Sequence, residues 1–411
     1  MELRRLISLA VTACGLLGVA AATAQTTSDI NAGLQFNFTP PGAKSLAMGG
    51  AFSGVADDAT AVYSNPGGLT TLSRPEASLE LRGSSYTNVF PSDGGTGSTH
   101  SSATGIGFGS VVYPSQDWTF AVYYHELAHF SATINSLPGP NHLAARDGSL
   151  DLDIKSYGAA AAFHFTESLS AGLAIAGYDF REDSSTTIPG SPAVQTVAGS
   201  GNGVGGSLGL RWSAGDWSAG VVYRLFPTFH ATGVLDQHNV ANESGCQDAV
   251  CGVGRFKVPD VYSTGLGYQA TSKLLISFEY DLVLYSQLSA ELVPLAASDS
   301  AKPLTAATDG HLFSIRDGSE FHLGGEYRFQ LTEENAFLVR VGTWREPDHT
   351  LRYDGPDPIL AIRFGTETSR KALYHGSLGA GLAFGKRFQV DAGADFSSRL
   401  KTYALSGVYR F

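Results

Sequence analysis

The sequence predicts an all-β membrane fold, a fourteen-stranded antiparallel outer-membrane β-barrel. Three observations carry that prediction: an export leader, a two-residue alternation of apolar and polar side chains, and connections that are alternately tight and long. Residues 1–24 hold Arg4 and Arg5, an uncharged apolar run Leu6–Ala22, and the small residues Ala22-Thr23-Ala24 before Gln25. This order of basic, apolar and small residues is that of a cleaved signal peptide, with the cut expected after Ala24. The run's length and flanks argue against a retained anchor.

Composition narrows the class. The 411 residues include 49 Gly, with 11% aromatic and only 16% charged side chains, a balance suited to a large barrel with aromatic girdles. After the leader, no apolar run reaches the roughly 18 residues of a spanning helix. The formal charge is −11, and removing Glu2, Arg4 and Arg5, together +1, makes the mature chain −12. That balance, with no basic cluster, argues against nucleic acid as a partner.

The alternation is clear in three segments. From Phe321 to Leu331 the odd positions are Phe, Leu, Gly, Tyr, Phe and Leu, against His322, Gly324, Glu326, Arg328 and Gln330. In 274–284 the apolar residues take the even positions, leaving Ser277, Glu279 and Asp281 on the other face. Phe388, Val390, Ala392, Ala394 and Phe396 alternate with Gln389, Asp391, Gly393, Asp395 and Ser397. In a membrane barrel the apolar face meets lipid and the polar face lines the lumen. That reading assigns Arg82, Arg224, Glu279, Glu326, Arg328, Arg340 and Asp391 to the lumen.

Strands are expected near 76–88, 102–113, 117–130, 152–165, 168–182, 202–214, 216–230, 256–270, 272–286, 318–331, 334–346, 371–384, 387–397 and 401–411. Every second connection is tight: Pro114-Ser115-Gln116, Thr166-Glu167, Gly215, Thr271, Thr332-Glu333 and Gly385-Lys386. The others, except the last hairpin near Ser398–Leu400, are long and rich in Gly, Ser, Pro and Asp. Short periplasmic turns alternating with long extracellular loops mark outer-membrane barrels and have no counterpart in a soluble sandwich. At the C-terminus Tyr403, Leu405, Gly407, Tyr409 and Phe411 share one face. This strand resembles the signal read by the barrel assembly machinery, which makes that machinery a partner through Tyr409 and Phe411. Cys14 leaves with the leader, and the isolated pair Cys246 and Cys251 in a polar loop of an exported chain is expected to form a disulfide.

Residues 25–75 do not read as a spanning strand. They contain Gly42-Ala43, Gly49-Gly50-Ala51-Phe52-Ser53-Gly54, Ala56-Asp57-Asp58-Ala59 and Asn65-Pro66-Gly67-Gly68-Leu69. With no Gly-Lys-Ser/Thr and no strand ahead of them, the glycines do not form a phosphate loop. The run resembles the N-terminal hatch of the FadL/TodX family of outer-membrane transporters of long-chain fatty acids and other hydrophobic compounds. After the signal peptide at 1–24, the resemblance implies a small N-terminal hatch at 25–75 plugging the lumen and a barrel at 76–411. It implies passive transport of hydrophobic small molecules, fatty acids or aromatic hydrocarbons, that leave sideways through the wall into outer-membrane lipid. Related hatches also occur in non-enzymatic barrel components of protein-secretion systems, the alternative reading. Where the family run is usually Asn-Pro-Ala, this chain has Asn65-Pro66-Gly67.

One motif points elsewhere. His125-Glu126-Leu127-Ala128-His129 matches the zinc-protease pattern His-Glu-x-x-His, which needs a helix to put both His on one metal. Here it ends an alternating stretch from Trp118. In a strand the two His share a face but stand ~13 Å apart, with Glu126 opposite. No Gly and third His follow at the metzincin spacing, where Ala132 and Asn135 stand, and no Gly-x-Ser-x-Gly elbow supports a serine enzyme. The sequence thus assigns no catalytic residue, no metal ligand and no cofactor. Glu126 instead interrupts an apolar lipid-facing series, Trp118, Phe120, Val122 and Tyr124. That places it either at the rim or at a bulge beside an opening. The family resemblance favours a kinked third strand approached by Asn65 and Pro66, so Asn65, Pro66 and Glu126 are the candidate gating residues.

Overall fold

The computed structural model describes residues 38–92, 95–137, 146–187, 194–238, 250–289, 313–349, 352–354, 356 and 371–411. The leader, residues 25–37 and Cys246 lie outside that set. Fourteen strands alternate along the chain and close into one antiparallel ring. They are β1 (Glu76–Ser92), β2 (Gly95–Ser115), β3 (Trp118–Leu137), β4 (Arg146–His164), β5 (Leu169–Thr187), β6 (Val194–Ala214) and β7 (Trp217–Leu225). After an inserted hairpin, β8 (Thr228–His238) and β9 (Val250–Lys257), come β10 (Val261–Thr271) and β11 (Leu274–Val283). The short pair β12 (Phe313–Ser314) and β15 (Arg352–Tyr353) stands apart from β13 (Gly318–Gln330), β14 (Ala336–Glu346), β16 (Leu373–Phe384), β17 (Phe388–Phe396) and β18 (Leu400–Arg410).

Sequential neighbours pair throughout, and the first strand meets the last from Glu76↔Arg410 to Tyr86↔Leu400. Closure satisfies the backbone polar groups that an open edge would leave bare in lipid. The tight turns fall where expected, with Gln116, Gly215 and Gly385 at φ 50°, 57° and 58°. Three expected long loops are instead mostly strand. Pairing runs on to Ser92↔Gly95, to Leu137↔Arg146 and to Thr187↔Val194. These stretches are polar, so composition marks them as loops while their backbones still pair. The seventh strand stops at Leu225 and not at 230, because Phe226-Pro227 interrupts the ladder and Pro has no N–H to donate. The chain then returns as the β8–β9 hairpin, which pairs with the extension of β6. Cys251 lies in β9, opposite Val234.

Polarity is inverted relative to a soluble protein. Phe321 and Leu323 are 46% and 50% exposed on the outer face, whereas His322 between them is 2% exposed. Arg224, Glu279, Arg340 and Asp391 are buried inside. Arg328 differs: near the turn that ends β13 it is exposed. Buried charges persist only when paired. Arg340 donates to Glu326 at 2.6 Å and to Asp391 at 2.6 Å, tying β13 to β14 and reaching β17. His375 sits between Asp395 and Glu346 at 2.6 and 3.1 Å, and Trp344 donates its indole N–H to Asp395 at 3.0 Å.

Arg340→Met should therefore leave two carboxylates facing each other without a cation. We expect a loss of about 3 kcal/mol in urea unfolding from detergent micelles, the scale for breaking a buried pair. Unchanged stability would mean that the pair contributes nothing net.

Candidate functional site

Residues 38–72 lie inside the ring as three short helical pieces, Ala43–Ala47, Ala61–Ser64 and the 3-10 helix Pro66–Thr71. Pieces this short cannot hold themselves in water, and here side chains of the wall bind their backbone. Glu279 of β11 accepts from the N–H groups of Phe52 and Ser53 at 2.6 and 2.7 Å. Glu76 of β1 accepts from Ala59 N–H at 2.7 Å, and Ser110 of β2 donates to Ala59 O at 3.1 Å. Arg224 of β7 donates to the carbonyls of Tyr63 and Ser64 at 3.2 and 2.6 Å. Glu80 of β1 accepts from Gly42 N–H, and Ser406 of β18 from Ala43 N–H at 3.2 Å. Within the segment, Lys44 is paired with Asp57 at 2.6 Å.

Asn65 and Pro66 sit against the wall at β5–β7. Asn65 Nδ2 donates to Leu210 O of β6 at 3.0 Å and to Ser53 O at 2.9 Å, while its Oδ1 caps Gly67 N–H at 3.0 Å. The wall makes room with glycine: a Cβ on Gly209 would stand 2.2 Å from Asn65 Oδ1, and one on Gly172 2.3 Å from the Pro66 carbonyl carbon. Asn65 therefore docks on β6, and the expectation that it shapes the third strand is corrected. The residue that reaches the third strand is Tyr63, whose ring centroid is 4.4 Å from that of His125. Burial pushes the Tyr63 phenol up to about 12, so it is neutral.

The third strand carries the main irregularity of the barrel. The β2–β3 ladder pairs Phe108↔His125 through Ser115↔Trp118 and resumes only at Ser101↔Ala132. Residues 102–107 and 126–131 are not paired with each other. Both strands are bulged at this level, β2 at Gly107 against β1 and β3 at Leu127 against β4. Glu126 lies in the gap, its carboxylate 3.6 Å from where a Cβ on Gly105 would be. Arg82, Tyr86, Leu127, Ala128 and Phe130 line the same pocket.

The bulge also resolves the His-Glu-x-x-His motif, which is strand and not helix. The extra residue Leu127 shifts the alternation, so His129 joins Glu126 and leaves the inward face of His125. The expectation that the two His share a face is corrected accordingly. His129 Nδ1 is 3.6 Å from Glu126 Oε1, and Asp153 of β4 lies within reach of both. Asp153 is already paired with Lys155, an internal cation for this cluster.

Inside the gap the surface becomes apolar. One cluster of buried side chains runs from Phe38, Phe226, Phe229 and Tyr285 past Tyr178 to Tyr63, Phe108 and Leu127. Ring contacts connect its upper part, with Phe38–Phe226 at 5.3 Å and Tyr178–Phe226 at 6.1 Å. Sequence reasoning missed these aromatics, because they come from the inner segment, from the ends of strands and from strand interiors, and only ring closure brings them together.

No family model and no curated protein matches the chain. Solved structures do. A Pseudomonas aeruginosa FadL homologue matches with a TM-score of 0.66 at 13% identity, over 92% of this chain and 99% of its own. The Ralstonia pickettii toluene transporter TbuX matches at 0.63 with 18% identity, over 91% and 99%. The Pseudomonas putida toluene transporter TodX matches at 0.61 with 14% identity, over 91% and 99%. TbuX and TodX are named as transporters and not as enzymes. The chain thus has the closed fourteen-stranded fold of the FadL/TodX outer-membrane barrels.

Proposed function

We propose that this chain is an outer-membrane channel for the passive entry of small hydrophobic molecules. Residues 38–72 act as part of a hatch, and solute leaves through the β2–β3 gap. The interrupted ladder beside an apolar interior carries the reading. Unpaired backbone groups in an apolar setting cost roughly 1–3 kcal/mol each, so a gap flanked by two bulges is kept for a purpose. Outside it stand Leu81 and Ile106, both exposed on the lipid-facing side. A hydrophobic solute passing here enters lipid without crossing the polysaccharide layer, and its own gradient is the only energy needed. Hydrophobic small molecules, aromatic hydrocarbons or fatty acids, are the substrate class, and the neighbours TbuX and TodX are named as toluene transporters. Glu126 and Tyr63 flank the exit. Asn65 and Pro66 anchor the hatch at β5 and β6. Tyr409 and Phe411 engage the assembly machinery during insertion.

Deleting Gly107 and Leu127 together removes the extra residue of each strand, restores alternation and keeps β2 and β3 in register so that they can pair. Uptake of radiolabelled toluene by cells producing this variant should fall at least about tenfold while the barrel keeps heat-modifiable migration on gels. Uptake at the wild-type rate would contradict exit through the gap.

Gly209→Val should expel the Asn65-Pro66 anchor, and single-channel conductance in planar bilayers should rise. Gly177→Val is the control, because a Cβ on Gly177 of β5 meets nothing within 4 Å. Equal conductance in the two variants would argue against a hatch held at this wall.

A further inference from the structure

We propose that Asp281, Glu320 and His322 form a divalent-cation site of zinc type that ties the inner segment to β11 and β13. The two strands run antiparallel with Asp281 directly opposite Glu320 and Glu279 directly opposite His322. Period-two alternation puts all four on the inner face. One ligand atom from each of Asp281, Glu320 and His322 lies within 4.8 Å of the others. His322 Nε2 is 3.5 Å from Glu320 Oε2 and 3.7 Å from Asp281 Oδ2. Those distances are long for hydrogen bonds. They lie close to the ligand–ligand edge of about 3.3 Å in a tetrahedral zinc site.

The surrounding contacts orient the donors toward a common point. His322 Nδ1 is 2.7 Å from the Gly49 carbonyl, which accepts its proton and leaves the Nε2 lone pair facing the carboxylates. A ligating His held by a backbone carbonyl through its other nitrogen is the usual outer-shell arrangement. The Tyr285 hydroxyl donates to Glu320 Oε1 at 3.0 Å and so turns Oε2 toward His322. Trp344 stacks on the His322 ring at 5.2 Å and 11°. Asp281 Oδ1 and His322 Nε2 have no hydrogen-bond partner, and neither does Glu279 Oε1 beside them. All three residues are more than nine-tenths buried.

Charge makes the same demand. Like charges placed directly opposite across a ladder repel. Among the described residues no Lys or Arg pairs with Asp281 or Glu320, and nearby Arg224 donates to Tyr63, Ser64 and Ser263 instead. Two carboxylates and one neutral imidazole match a dication in charge. The nitrogen donor favours zinc over calcium or magnesium. Because Gly49 holds His322, and Glu279 holds Phe52 and Ser53, a bound ion would fix residues 49–53 on the wall. By contrast, the Glu126–His129–Asp153 group already has Lys155 as its cation.

The test uses the full mature chain refolded from urea into detergent micelles without metal, then titrated with zinc chloride against a chromophoric chelator. The expected result is one tightly bound zinc per chain. His322→Gln and Glu320→Gln should each bind about tenfold or more weakly, and His129→Gln should bind as the wild type does. Heat-modifiable migration reports folding of each variant. No zinc binding by the wild type would overturn the proposal. Equal affinity in wild type and Glu320→Gln, or a loss confined to His129→Gln, would overturn it as well.

Discussion

The structure depends on one constraint: in a bilayer, every backbone N–H and C=O of a spanning segment must find its partner within the protein. The β1–β18 and β5–β6 ladders meet it by closing the ring. Closure leaves the outer face to Leu and aromatic side chains and the inner face to charge. It also makes the parting of β2 from β3, between Ser101↔Ala132 and Phe108↔His125, stand out from the rest of the wall among the described residues. The bulges at Gly107 and Leu127 divert both strands at the same level, so the parting is built into two strands at once.

The inner segment shows how a closed wall holds a filling that has little regular structure. Beyond the turns it makes with itself, its backbone bonds to Glu76, Glu80, Glu279, Arg224 and Ser406 of the wall. Wall glycines bring the two backbones into contact, as where a Cβ on Gly342 would stand 2.3 Å from Gly49 N. Charged groups that would be exposed in a soluble protein thus become the adhesive between the inner segment and the barrel. Each such bond is individually modest, and a segment held by many of them around the ring moves only when several release together.

Much of this was legible in the residues. The Phe321–Leu331 and Phe388–Phe396 alternations fix which face is buried, and turns such as Gly215 and Gly385 fix the strand count. Asn65-Pro66, expected at the third strand, sits instead at Gly172 of β5 and Gly209 of β6. What stayed hidden depends on register. Alternation continues in the reader's eye through His125-Glu126-Leu127, so the bulge that moves His129 beside Glu126 leaves no mark in the sequence. Polar stretches such as 89–101 look like loops because composition reports solvent and not pairing. That Asp281 faces Glu320, or that Asn65 meets β6 and Tyr63 meets β3, follows from which strands neighbour which residues across the lumen. No local pattern encodes those distances.

The central claim is that a hydrophobic solute passes between β2 and β3, and trapping it there tests this most directly. Replacing Ala128 with a photoreactive benzoylphenylalanine, supplying deuterated toluene or a long-chain fatty acid to intact cells, and irradiating should give a solute adduct on residue 128 by mass spectrometry. The same residue introduced at Leu405, on the outer face of the paired β17–β18 seam, should capture lipid without the short-term enrichment of solute. Equal labelling at both positions, or no solute adduct at 128 while uptake proceeds, would contradict the account.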